Sequence, residues 1–443
     1  MTPSTPHWTD GAPRRSEIAE SEFCAYLAGQ TSDFLSTCNG VLESAPEQWS
    51  QRQTYRLHRT SSDLETLLDN YGARENRTFL PIRELVALVR WLSLAMTNLL
   101  HLDSRLPSYQ LVDEAWARNV LAPSIRRSAL ELGEMIVRTL QGLRENWIAV
   151  GLTWTSVVER DDGTHPSGPH PRLRRNRDEQ PDASAAHPAA ARLASQYLEL
   201  MRSLEKFCAG PVSGLQPLRE FVANYYTEES ARSIEARAHN LQSSYDTQIA
   251  GTQDEARHVE LSRLRGAVSQ ALHLLEAGTC LVHLYERHDL HGPGGALRAQ
   301  FERAIVEERL LDVLVTGCVI MACDGLQRGR ADAELILRVF TRQTSVDLAL
   351  PDGVTLHARP ISLIVSVVSR HGTSVEMEIQ GRKASAASIM QMLMVAGGQP
   401  NARSVRFYGD QEVLKDLALL FQHHLGEDGL DRLPAHLNYL KPS

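Results

Sequence analysis

The sequence has few aromatic side chains, and no two of its cysteines are separated by only two residues. Aromatics make up 6% of the 443 residues, and the six cysteines are scattered, several within apolar helical stretches. This spacing is typical of reduced core thiols and not of a disulfide framework or zinc site. The chain also lacks a phosphate-cradling glycine loop, a His-Glu-x-x-His motif and a Gly-x-Ser-x-Gly motif. We therefore expect no metal and no cofactor.

Long apolar runs and basic stripes are absent as well. The most apolar run, Leu310 to Leu326, is interrupted by Asp312 and Asp324 and is shorter than a membrane span, which predicts a buried helix. Residues 1–15 are polar, with no apolar core like that of a signal peptide. The net charge is −8, and no basic stretch is interleaved with aromatics. We expect a cytoplasmic protein that binds neither nucleic acid nor membrane.

Most of the chain before residue 342 has helical periodicity. The stretch from Val112 to Trp147 continues this pattern, and Pro123 is expected to break it. Residues 159–188 lack apolar periodicity, contain five prolines and carry the basic run 172–177, which predicts a disordered linker. The basic run fits either a solvated charge cluster or a contact with a membrane or nucleic acid, and we favour the first.

Three histidines lie close together in sequence near a Gly-Pro-Gly-Gly turn: His283, His288 and His291. They are either metal ligands or ordinary histidines at the end of a helix. No second type of ligand is evident nearby, which favours the second interpretation.

The clearest chemical signal is the segment Leu356-His357-Ala358-Arg359-Pro360. Proline is tolerated in a first helical turn, and the apolar run 361–368 supplies a helix body, so His357 should lie just before a helix start. Unpaired backbone N–H groups and a partial positive charge make such an end a ready phosphate site. Arg359 can add a charge-assisted hydrogen bond. His357 is therefore either a phosphoryl acceptor or a surface histidine at a helix cap.

The residues around this motif predict a small α/β unit. Alternating and helical apolar patterns follow each other as strand, helix, strand, strand, helix, strand and helix between Thr344 and about His424. Ser388 is expected to cap the short fifth element, a helix over Ile389 to Val395.

This element order, together with two motifs, resembles HPr, the histidine phosphocarrier of the bacterial phosphoenolpyruvate:sugar phosphotransferase system. The resemblance covers roughly Gln343 to Gly426. One motif is the His357 segment, and the other is 381–390, Gly-Arg-Lys-Ala-Ser-Ala-Ala-Ser-Ile-Met, with Ser388 at the family's regulatory serine. The implied fold class is a C-terminal α/β (α+β) open-faced sandwich after a mainly α N-terminal region of helical bundles.

The resemblance also implies roles for single residues. His357 would accept phosphate from an enzyme I-type donor and pass it to an enzyme IIA-type acceptor, and Arg359 would balance the phosphoryl charge. Ser388 would be the target of a serine kinase that switches docking off; the alternative is a plain helix cap. The apolar residues expected to dock partners are Ile389, Met390 and Leu393.

The sequence departs from the family pattern at three positions. Thr355 stands where the family has a glycine, and Gly353 lies two residues earlier. Ile361 replaces a small residue after the proline, and Ala387 replaces a basic residue before the serine. These differences weaken the prediction of a serine switch more than the prediction of a histidine site.

We expect six segments along the chain: a disordered tail (1–15), a helical domain (16–158), a disordered linker (159–188), a second helical domain (189–342) that stands alone or forms one bundle with the first, the HPr-like domain (343–426) and a tail (427–443). The predicted function is that of a phosphocarrier or regulatory protein of a phosphotransferase relay, with no enzyme activity of the usual kind. The alternative is a scaffold whose HPr-like fold carries no phosphate.

Overall fold

The computed structural model describes residues 17–441 except 156–182, 209, 211, 289–295, 352 and 401. The predicted tail 1–15, His291 and most of the predicted linker therefore lie outside the described residues. The chain forms two compact units, one from segments 1–97, 132–165 and 288–306 and the other from segments 98–131, 166–287 and 307–443. This division differs from the two predicted helical domains, because each unit draws on segments from both sides of residues 159–188.

Helices account for nearly all of the described chain before residue 341. Their bounds are α1 (Glu20–Gln30), α2 (Ser32–Leu42), α3 (Gln51–Asn70), α4 (Leu80–Arg105), α5 (Glu114–Trp116), α6 (Ala122–Ala149), α7 (Ala183–Leu204), α8 (Leu215–Asn224), α9 (Glu228–Gln248), α10 (Gln253–Arg257), α11 (Val259–Arg287), α12 (Ala296–Ala304), α13 (Glu307–Asp312), α14 (Met321–Arg328) and α15 (Arg330–Phe340). Because α7 begins at Ala183, the last residues of the predicted linker are helical.

Pro123 does not break the chain's helical path. A π-helical segment, Ala117–Leu121, joins α5 to α6, and the backbone N–H of Ala122 donates to Ala117 O. Pro123 then lies in the first turn of α6. The expected break is wrong because the wider π turn precedes a residue that has no N–H to donate.

Two helical stretches, Leu80–Ser108 and Glu307–Arg328, are long and apolar enough to cross a membrane by length and composition. Their most apolar windows are 67% and 72% buried inside the protein. Core helices of soluble proteins pass the same test, so the two stretches are weak evidence for a membrane. The predicted burial of the run from Leu310 to Leu326 is confirmed, since both of these leucines are fully buried.

The C-terminal domain contains four strands and three helices. They are β1 (Gln343–Ala349), α16 (Ala358–His371), β2 (Glu376–Ile379), β3 (Arg382–Ser385), α17 (Ile389–Gly397), β4 (Ser404–Asp410) and α18 (Gln411–Gln422). The sheet order is β1-β4-β2-β3, antiparallel throughout. The predicted element order and the α+β fold class are confirmed.

One face of this sheet forms the core of the domain. Met377 on β2 and Phe407 on β4 are fully buried, as are Ile361 on α16 and Leu417 on α18, while neighbouring strand positions alternate toward solvent. This alternation matches the period-2 pattern of a sheet covered on one side. The helices therefore lie on a single face of the sheet.

The described residues after α18, as far as Lys441, are folded and do not form the tail predicted over 427–443. Short 3₁₀ segments cover Leu430–Arg432 and Ala435–Leu440. Leu433, Leu437 and Leu440 are 5%, 0% and 8% exposed and join the core of the C-terminal domain. Their spacing of three and four residues places them on one side of the segment, a pattern too short to stand out against its polar surroundings.

A buried carboxylate connects this segment to the domain. Asp416 on α18 is hydrogen-bonded to His371 Nε2 at 2.9 Å and to His436 Nε2 at 2.8 Å, and it accepts a longer bond from the Tyr439 hydroxyl at 3.4 Å. The Arg370 guanidinium lies 5.3 Å from the centre of the Tyr439 ring. We call Asp416, His371 and His436 the Asp416 cluster.

Within the second unit, α7 contacts the end of α16. Arg192 Nε donates to His371 O at 3.3 Å. Gly372 follows α16 with φ +65°, and a Cβ atom there would lie 2.5 Å from Arg192 Cγ. Glycine is required at this position both by the left-handed backbone and by the close approach of Arg192.

Candidate functional site

His357 caps the N-terminus of α16. Its backbone is extended (φ −103°, ψ −173°), and its Nδ1 atom accepts a hydrogen bond from the backbone N of Arg359 at 3.4 Å. The carbonyl of His357 accepts the first helical bond, from Ile361 N at 3.1 Å. The side chain is 53% exposed. The imidazole is therefore accessible to solvent and has one ring nitrogen directed at a helix N-terminus.

The structure explains two of the departures from the family pattern, Thr355 and Ile361. Gly353 adopts φ +79°, and Val354 N donates to Pro351 O at 3.0 Å, so the glycine serves a turn that ends before Thr355. Thr355 instead uses its carbonyl to accept a hydrogen bond from His357 N at 3.0 Å. Ile361, where the family prefers a small residue, is fully buried, so it belongs to the core and not to the site.

Arg359 lies beside His357 in the first turn of α16. Its Nη2 atom donates to Gly426 O at 3.4 Å. This bond holds the guanidinium at the end of α16 where the helix dipole is positive. An anion bound at this end would meet both the free N–H groups and a full positive charge.

Sequence reasoning missed one residue of the site, Glu427. Its Oε1 atom lies 3.5 Å from His357 Nε2. The same oxygen is sheltered from solvent and has no hydrogen-bond partner among the described residues. The sequence predicts a tail at Glu427, and no local pattern links this residue to a histidine so far away along the chain.

An unusual turn brings Glu427 to the histidine. His424, Leu425 and Gly426 have φ values of 50°, 53° and 74° in succession. Each left-handed non-glycine residue costs roughly 1–2 kcal/mol. Leu425 is fully buried, and His424 Nδ1 bonds to Asp428 Oδ2 at 2.7 Å, which compensates for part of this cost. The turn supplies both the Gly426 carbonyl and the Glu427 carboxylate to the site.

Ser388 caps α17, as the sequence predicts. Its Oγ atom accepts from Gln391 N at 3.4 Å, and its backbone N donates to Ser385 O at 3.1 Å. The side chain of Gln391 in turn accepts from Ser385 N at 3.1 Å. These contacts fit a helix cap without any modification.

The expected docking residues on α17 are not equivalent. Ile389 and Met390 are 42% and 69% exposed, whereas Leu393 is packed partly against the core. Met394 is 70% exposed and lies one helical turn after Met390, a spacing that could have identified it in the sequence. We call Ile389, Met390 and Met394 the α17 apolar patch.

The two described histidines near the Gly-Pro-Gly-Gly turn pair with different carboxylates. His283 Nδ1 lies 2.8 Å from Glu228 Oε1, and His288 Nδ1 lies 3.0 Å from Glu84 Oε2. Within the described ranges, no group of three or more His, Cys, Asp and Glu side chains could hold a metal ion.

Known proteins and a family model match the C-terminal domain. Residues 344–423 match the family described as the PTS HPr component phosphorylation site. The phosphocarrier protein HPr of Xylella fastidiosa strain Temecula1 (ATCC 700964) is 29% identical over 84 residues, which is 18% of this chain and 94% of that protein. The HPr of strain 9a5c gives the same values. No solved structure matches the chain.

The fold and the matches together define an HPr-like domain joined to a large helical region. The similarity is to a carrier of the phosphotransferase system and not to a classical enzyme, and it indicates proteins of that system as partners in general. It is confined to the C-terminal domain, so it does not extend to the helices before residue 341.

Proposed function

We propose that this protein is a histidine phosphocarrier or regulatory protein of a phosphotransferase relay, with His357 as the phosphoryl acceptor. One observation carries the proposal: His357 Nδ1 is directed at the N-terminus of α16, beside Arg359, inside the segment that matches the HPr phosphorylation site. A phosphoryl group on Nδ1 would lie where backbone N–H groups and a guanidinium can bind its oxygens.

The transfer needs little from the protein beyond placement and charge. The Nδ1 lone pair attacks the phosphorus of an enzyme I-type phosphohistidine, and the N–P bond of the donor breaks as the new bond forms. The helix N-terminus and Arg359 stabilise the transferred negative charge. In the transfer to an enzyme IIA-type acceptor, phosphorylated His357 is the donor, and its N–P bond breaks as the bond to the acceptor forms.

The α17 apolar patch is the proposed docking surface for these partners. Its three side chains are exposed on a helix that packs against α16, the helix capped by His357. An exposed apolar patch beside a reactive residue is typical of a protein interaction site. Partly buried Leu393 would support the patch from beneath.

A regulatory role for the helical region follows from its size and its contact with the domain. An ordinary carrier of this family is a small free domain, whereas here α7 reaches the end of α16 through Arg192. We propose that the helices form a partner-binding scaffold whose state depends on phosphorylated His357, in the cytoplasm.

Ser388 is the proposed site of a serine kinase. A phosphate on Ser388 would replace the cap bond to Gln391 N and would place negative charge beside Ile389 and Met390. Docking of an apolar partner surface would then be disfavoured.

A second candidate function is that of a scaffold whose HPr-like domain carries no phosphate. Gly353, which is shifted from the family's position, and Ile361, in place of a small residue, favour this alternative. Both functions are compatible with the fold, so chemistry at His357 must separate them.

The deciding experiment is incubation of the full chain with phosphoenolpyruvate and a cognate enzyme I, followed by detection of acid-labile phosphate. His357→Gln should remove the label. His239→Gln is the matched control, because His239 is an exposed histidine on α9, and it should keep the label. Absence of label in the unchanged protein favours the scaffold.

A further inference from the structure

The two ring nitrogens of His357 face different kinds of group. Nδ1 faces a donor, the backbone N–H of Arg359 at 3.4 Å, and Nε2 faces an acceptor, Glu427 Oε1 at 3.5 Å. A neutral imidazole carries one proton, so one nitrogen donates and the other accepts. Both contacts favour the same arrangement, with the proton on Nε2 and the lone pair on Nδ1.

From this geometry we propose that Glu427 is a positioning residue that holds the His357 proton on Nε2 and leaves Nδ1 as the nucleophile. The inference rests on the proposed function, since it assigns a role within phosphoryl transfer. It goes beyond the match to the family model, because that match ends at residue 423 and Glu427 lies after it.

The Oε1 atom of Glu427 has no competing hydrogen-bond donor among the described residues. Oε1 is sheltered from solvent and accepts no hydrogen bond from the described residues, so His357 Nε2 is the donor within reach. Catalytic hydrogen bonds are often long before the substrate binds and shorten in the reacting complex. The left-handed turn through His424, Leu425 and Gly426 holds the carboxylate in place.

The pair affects the charge balance of the reaction. When Nδ1 forms its bond to phosphorus, the donor's N–P electron pair returns to the donor nitrogen, and no proton moves on His357. The product ring is a phosphorylated imidazolium whose positive charge and Nε2–H both face Glu427. The carboxylate therefore stabilises the phosphorylated ring and selects the reactive tautomer, as the aspartate of a Ser-His-Asp triad does for its histidine.

The test compares Glu427→Gln with the unchanged full chain. In protein labelled with ¹⁵N-histidine, at about pH 8.5 where an imidazole is neutral, the His357 signal is identified by its loss in His357→Gln. We expect the Nε2–H tautomer in the unchanged protein and a mixture of tautomers in Glu427→Gln, since an amide can both donate and accept. Transfer from phosphorylated enzyme I should be roughly tenfold slower in the variant.

Two further variants separate the carboxylate from general effects. Glu412→Gln is the control, because Glu412 is exposed on α18 and pairs with Lys415, and it should change neither the tautomer nor the rate. Glu427→Asp keeps the charge on a shorter side chain and should recover part of both. Thermal unfolding of each variant checks that the fold is retained.

The results distinguish this inference from the proposed function. An unchanged Nε2–H tautomer in Glu427→Gln overturns the positioning role, whether or not the protein is phosphorylated. A Glu427→Asp variant that behaves like Glu427→Gln also contradicts it. If the unchanged protein takes no phosphate but the tautomer still shifts in Glu427→Gln, the proposed function fails while the control of the His357 proton by Glu427 is supported.

Discussion

The carboxylate of Asp416 is hydrogen-bonded to His436 Nε2 at 2.8 Å, and this contact connects α18 to the segment that follows it. His436 lies between the buried leucines 433 and 437. The polar contact and the apolar contacts therefore hold the same short segment. That segment directly follows the turn that carries Glu427.

Replacing Asp416 with asparagine should destabilise the C-terminal domain. The carboxylate is buried, and the substitution removes the negative charge that its two histidine contacts use. Hydrogen bonds to charged groups contribute about 2 kcal/mol, so we expect a lower midpoint in thermal unfolding. Asp347→Asn is the control, since Asp347 pairs with Arg406 on the exposed face of the sheet and should have little effect. Equal effects of the two variants would contradict a structural role for the Asp416 cluster.

The contribution of Asp416 should depend on pH. Burial pushes the pKa of Asp416 upward, but the His371 and His436 contacts outweigh burial and hold this pKa below its usual value. The stabilisation is therefore complete above the unfolded pKa of about 3.9 and is lost as the pH falls through the lower folded pKa. The stability difference between the unchanged protein and Asp416→Asn should be constant from about pH 5 to 6 and shrink below about pH 4.

Leu437→Ala should destabilise the domain although it lies in the segment first expected to be a tail. The side chain is fully buried, and removing a buried leucine typically costs about 3 kcal/mol. Leu430→Ala should cost less, because Leu430 is only partly buried against the core. Urea unfolding of both variants measures the difference. A Leu437→Ala protein as stable as the unchanged one would show that the segment does not pack.

Met390→Glu should slow phosphotransfer without lowering stability. Met390 is 69% exposed in the α17 apolar patch, so the charge remains in water but opposes an apolar partner. Met392→Glu is the contrasting variant, because Met392 is fully buried and the new charge should unfold the domain. Faster transfer in Met390→Glu would indicate that the helical region masks the site in the unchanged protein.

Glu228→Gln should destabilise the second unit through its helices. Burial raises the pKa of Glu228, but Arg287, His283 and Arg232 together lower it to about 2. Loss of this charge should cost about 2 kcal/mol at neutral pH. Because the folded pKa is depressed, the contribution persists down to acid pH and disappears as the pH falls through about 2. Glu229→Gln is the control, since Glu229 is exposed in the same helical turn.

Local patterns predicted the elements of the C-terminal domain well. The first predicted strand, which begins at Thr344, is observed at Gln343–Ala349, and the predicted caps His357 and Ser388 both precede observed helices. Such features depend on residues within a few positions of each other. Helical periodicity before residue 342, in contrast, does not locate the boundary at Thr31 between α1 and α2.

Features that depend on distant residues escaped prediction. The Arg359 guanidinium contacts the Gly426 carbonyl, and His357 Nε2 contacts the Glu427 carboxylate, although the partners are far apart in the sequence of the domain. The expected docking group changed for the same reason, because packing against the core covers part of Leu393 and leaves Met394 exposed.

The sequence alone determined the reactive residue type, its position at a helix start and the order of strands and helices, because periodicity and capping are encoded in neighbouring residues. Only the tertiary structure decided which carboxylate faces His357 and that residues 430–440 belong to the core. Those outcomes depend on how α18 packs and on the left-handed turn after it. The burial of Leu425 in the core compensates for part of the backbone cost of that turn, and this burial is not encoded in the turn's own residues.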